Sequence, residues 1–66
     1  AEHVHYALAL SRGLQGDMSD AAHHLAEAIR LEPKNRNVAR HDADFMEFAR
    51  NGPVREVLFG EKRGGE

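Results

Sequence analysis

The 66-residue chain has no cysteine, which excludes disulfide cross-links and thiolate metal sites and leaves helix packing as its source of stability. It also lacks any apolar run near the roughly 20 residues a membrane-crossing helix needs, and no secretory signal pattern opens it. Those absences predict a soluble chain in a reducing, cytoplasmic setting, with no membrane partner. There is no glycine-rich phosphate loop, because Gly64-Gly65 belongs to a polar tail. Ser11 and Ser19 lack the surroundings of an activated nucleophile, so no catalytic role is expected. The Asp42 and Asp44 pair could do acid–base work in principle, but breaking and recapping a helix explains it with fewer assumptions. Neither sign of charge dominates. The formal net charge is −2, from two basic and five acidic residues up to Pro33 and seven basic and six acidic beyond it. That leaves no concentrated basic face for nucleic acid, and Lys34, Arg36 and Arg40 read as a solvated face.

What the chain does have is punctuation. Gly16-Asp17 signals a turn, and Asp17 followed by Asp20 looks like a capping box that starts a helix near Met18. Ala21, Leu25, Ala28 and Ile29 then recur at three- and four-residue steps, opposite His23, Glu27 and Arg30. Pro33 lacks an amide hydrogen and pushes Glu32 out of helical geometry, so the helix stops near Leu31. Backwards from the turn, a first helix runs from about Glu2 to Leu14, and so short a connection makes the two antiparallel neighbours. Their seam is expected along Leu8, Ala9, Ala21, Leu25 and Ala28. Two stripes compete on the first helix: Val4, Leu8 and Ala9 suit the seam, whereas Tyr6, Leu10 and Leu14 recur on another side. One hairpin cannot bury both.

His5, Leu8-Ala9, Arg12, Gly16-Asp17, Ala21, Leu25, Ala28 and Pro33 fall in phase with the tetratricopeptide pattern of about 34 residues. The chain therefore resembles a tetratricopeptide repeat, with His5 in place of the large aromatic, Ala9 of the glycine and Arg12 of the tyrosine. The resemblance implies an all-α fold, a fragment of an α–α superhelix. Residues 1–33 would be the complete hairpin, 34–60 a degenerate closing unit of one or two short capping helices, and 61–66 a disordered tail. It also implies that the first helix lines a concave groove, which would place Tyr6, Leu10 and Leu14 there with His3 and Gly13 beside them. The alternatives are that this stripe packs against a preceding repeat or against the chain's own tail. Starting at Ala1 inside an expected helix, the chain reads as an excerpt of a longer protein.

Past Pro33, Asn35 is the expected cap of a third helix that holds Val38 and Ala39. Asp42-Ala43-Asp44 should break it and recap the next turn, returning Phe45, Phe48 and Ala49 to the core. Asn51-Gly52-Pro53 ends that stretch, and 53–59 suits a last short helix with Val54, Val57 and Leu58 inward. The segment from Ala39 to Phe45, with Pro53 and Leu58 following, resembles the degenerate closing unit at the ends of some bacterial tetratricopeptide groups. Five histidines invite a metal site. His3 and His5 are two apart and His23 and His24 adjacent, so neither pair shares a helix face, and no metal or cofactor is expected. The imidazoles could still make binding sensitive to pH near neutrality. The expected role is a protein-interaction or assembly module: Tyr6, Leu10 and Leu14 dock a partner helix or peptide, or a second copy, with Asn37 and Arg40 at the rim. The rival expectation is a structural cap of a repeat array with no ligand of its own.

Overall fold

The organising helix starts where Asp17 accepts the Asp20 amide at 3.1 Å. In the computed structural model, which describes residues 2–50 and 52–60, the helices are α1 (Glu2–Leu14), α2 (Met18–Leu31), α3 (Lys34–Arg40), α4 (Ala43–Phe48) and α5 (Pro53–Phe59). Among the described residues there is no strand, so the chain is all-α. The tail at 61–66, expected to be disordered, lies outside the described residues, as do Ala1 and Asn51. Only half of the capping box closes. Asp17 caps, while the Asp20 carboxylate sits 3.0 Å from Arg12 Nε and 3.5 Å from His24 Nε2. Gly16 makes the reversal at φ +89°, where a side chain would be strained.

Cross-hairpin contacts give the orientation of α1 against α2. Arg12 meets Asp20 close to the turn, His5 meets His24 farther from it, and Glu2 reaches Asn35 beyond the end of α2. The two helices are therefore antiparallel. Along the seam Ala9, Ala21, Leu25 and Ala28 have no exposed surface, and alanine on both sides lets the axes approach closely. Leu8 is half-buried. Val4 is a correction: it was expected in the seam and is 54% exposed.

Beyond Pro33 the chain folds as three short helices. The break falls at His41-Asp42, where Asp42 caps α4 by accepting the Asp44 amide at 2.9 Å. Asn35 is not a cap. It is buried inside α3, and its side-chain amide donates to the Ala28 carbonyl at 3.0 Å and to Glu2 Oε1 at 2.8 Å. That amide ties the end of α2 to the start of α1, as a second donor to a carbonyl that also accepts the Glu32 amide at 3.0 Å. Ala39 faces the core as expected, whereas Val38 is 53% exposed. Phe45, Phe48, Ala49, Val54 and Leu58 join Ala9, Ala21, Ala22, Leu25 and Ile29 in one hydrophobic cluster. In that arrangement α4 lies against α1 and α5 against α2, so the hairpin is covered on one side by its own C-terminal helices. Gly52, at φ +82°, makes the second reversal.

Candidate docking surface

Tyr6, Leu10 and Gly13 succeed one another along one side of α1, and that side is filled from within the chain. The Tyr6 ring meets Phe45 edge-on at 4.9 Å, its hydroxyl donates to Asp42 Oδ2 at 3.3 Å, and Leu10 packs on the same cluster. Gly13 is buried because the Phe48 ring lies on it: a Cβ there would overlap the edge of that ring. Burial first, and the Asp42 charge second, push the Tyr6 hydroxyl up to about 12. Of the stripe expected to line an open groove, Tyr6 and Leu10 are thus covered from within the chain, while Leu14 is not.

The open side of α1 is a different one. His3, Val4, Ala7, Ser11 and Leu14 are exposed, and they fall within one arc of about 100° at 3.6 residues per turn. Leu14, two-thirds exposed, is the one member of the expected stripe on this arc. The arc holds no Asp, Glu, Lys or Arg, and its one ionisable side chain, His3, has Nδ1 3.5 Å from Glu2 Oε2. The outer side of α2 is ordinary by comparison, with Ser19, His23 and Arg30 exposed and Arg30 paired to Glu27 at 2.8 Å. That pairing holds the Glu27 carboxyl below its usual range. At the turn end, an open recess of about 400 Å³ is lined by Met18, Glu47, Phe48 and Arg50. Its apolar part is Met18 and Phe48, while Glu47 and Arg50 pair at 3.3 Å.

The two residues expected at the rim do not share this face. Asn37 is exposed on α3, where its carbonyl meets His41 Nδ1 at 2.8 Å. Arg40 is half-buried and turned inward: Nε donates to the Leu58 carbonyl at 2.8 Å, Nη2 donates to the same oxygen, and the guanidinium lies 4.9 Å over the Phe59 ring. It closes the end of α5 and leaves Lys34 and Arg36 without the third member of their basic cluster. Among the described residues no group of three or more His, Asp or Glu side chains is placed to hold a metal ion.

Sequence reasoning missed the arc because spacing assigned Val4 to the seam. Two signals were available. Gly13, seven residues after Tyr6, marks a close approach inside a helix, which says that a bulky group from elsewhere sits on that side. The lack of any charge from His3 to Ser11 singles out the remaining side. No family model matches the chain, and no curated protein or solved structure matches it. No helix among the described residues is long and apolar enough to cross a membrane.

Proposed function

We propose that this chain is a tetratricopeptide-like assembly module that docks another helical surface, or a second copy of itself, through the exposed arc of α1. The observation that carries the reading is Val4 at 54% and Leu14 at 66% exposed on a face with no Asp, Glu, Lys or Arg. An apolar helix face without charged neighbours marks contacts more often than it marks a solvated surface. Ala7 and Ser11 are small and sit between the two larger residues, so a partner helix can approach closely at the middle of the face. The docking residues are then Val4, Ala7, Ser11 and Leu14. Tyr6 and Leu10 support the helix from behind, and Arg40 serves the fold. A cytoplasmic location and the absence of nucleic-acid partners belong to the same reading.

Scale sets the expected strength. A 13-residue helix presents a face about 20 Å long and about 10 Å wide, well below the roughly 800 Å² per partner of a stable interface. Contact through α1 alone is therefore weak, and repetition along an array or a second contact would be needed for tight binding. A second reading has its own support. Asp44, Glu47, Arg50, Arg55 and Glu56 are all exposed on α4, α5 and the segment between them, a polar outer layer of the kind that closes a helical stack. On that reading the chain is a cap with no ligand.

Sedimentation velocity from about 10 µM to about 1 mM separates the two. Docking through α1 predicts a weight-average sedimentation coefficient that rises with concentration in the wild type and stays flat in Val4→Asp and Leu14→Asp. A wild type that stays monomeric throughout supports the cap instead.

A further inference from the structure

Where α1 crosses α2, His5 Nδ1 and His24 Nδ1 lie 3.1 Å apart, with the two rings 5.4 Å between centroids and 28° from parallel. His24 has only 18% of its side chain exposed. A hydrogen bond between two imidazole nitrogens has one solution: one Nδ1 donates and the other accepts. We propose that this contact is a proton-sensitive latch across the hairpin, closed while the pair carries no more than one added proton and opened by the second.

Proton counting supports it. In the neutral pair, an N–H on His24 Nε2 faces Asp20 Oδ2 at 3.5 Å, which leaves His24 Nδ1 to accept from His5. One added proton keeps the bond, since an imidazolium donates to a neutral ring and the bond becomes charge-assisted. Two added protons make both Nδ1 atoms donors, so the bond has no acceptor and two cations face each other.

The surroundings do little to offset that repulsion. Asp20, the carboxylate next to His24, also lies 3.0 Å from Arg12 Nε. The buried Arg12 Nε has no hydrogen-bond partner, so this contact is an ion pair set off the donor axis. His23 adds a third ring 5.3 Å from His24. Glu27 feels the charge of both His5 and His23, but its carboxylate is held foremost by Arg30. On α1 the nearest charged side chain toward the N-terminus, Glu2, is engaged by Asn35. The latch is independent of the docking face: it joins α1 to α2 whether or not anything covers Val4 and Leu14.

The test is thermal melting of the full chain at about pH 7.5 and about pH 5 with EDTA present, so that no metal bridges the rings. Glutamine at either position can still donate or accept and does not titrate. The wild-type melting temperature should fall between the two pH values by about 4–8 °C more than that of His5→Gln or His24→Gln, and His3→Gln should fall as the wild type does. Equal falls in the wild type and both glutamine variants would overturn the latch. A second readout needs no substitution: a scalar coupling between the two Nδ1 nuclei of ¹⁵N-labelled wild type, present near pH 7.5 and gone near pH 5. Its absence at both values, or its persistence at both, would equally overturn the proposal.

Discussion

Gly13 shows how one missing side chain sets the packing of a small core. In a helix interior, glycine is less favourable than alanine by about 1 kcal/mol, so Gly13→Ala would ordinarily stabilise α1. Here the added methyl overlaps the edge of the Phe48 ring, and Phe48 is wedged edge-on against Phe45, 5.6 Å between ring centroids. To clear the methyl, the ring must leave its rotamer or α4 must lift from α1. Overpacking of this kind costs about 1–3 kcal/mol, which outweighs the helix-propensity gain. Gly13→Ala should therefore lower the urea midpoint, and in a Phe48→Ala background the same substitution should raise it. A stabilising Gly13→Ala in the otherwise native chain would mean that α4 does not sit on α1.

At the scale of elements, α4 is held twice by one residue, because Asp42 caps it and also accepts the Tyr6 hydroxyl from α1. The pH dependence of that clamp has a definite sign. The Tyr6 hydroxyl is pushed up to about 12 in the folded chain, against an ordinary value near 10. The folded state thus keeps a proton that the unfolded state has lost, and this contribution to stability is complete below about pH 10 and disappears as pH rises toward about 12. Tyr6→Phe removes it. The wild type should lose more thermal stability than Tyr6→Phe between about pH 9 and about pH 11, and parallel losses would mean that the hydroxyl is free in water. The hairpin was legible in the residues because each of its ends carries a chemical stop: Asp17 and Gly16 at the turn, Pro33 at the far end. The break at Asp42 was legible for the same reason. Asn35 was misread, since an amide near a helix start can cap its own helix or reach another, and only the fold brings the Ala28 carbonyl within its range. The two stripes of α1 were also legible, but spacing says which residues share a side and not which neighbour covers that side. The His5–His24 contact, nineteen positions apart, follows from the pairing of helices and from no local pattern.

For the whole molecule, the decisive comparison is between what holds the fold and what faces outward. A chain of this length has about 3–10 kcal/mol of stability in all. Phe45 is the largest side chain with no exposed surface; it meets Tyr6 and Phe48 and so joins α1 to α4. Truncating such a residue costs about 3–5 kcal/mol, a large part of the total, so Phe45→Ala should be unfolded or nearly so at room temperature. Leu14 is comparable in apolar character but 66% exposed at the end of α1, and substitution there should change stability by no more than about 0.5 kcal/mol. Circular dichroism melts of Phe45→Ala and Leu14→Asp side by side test that division. The first should lose its cooperative transition, while the second should melt within a few degrees of the wild type. If Leu14→Asp instead melts far below the wild type, Leu14 is buried in the folded chain, and the apolar arc of α1 belongs to the core rather than to a docking face.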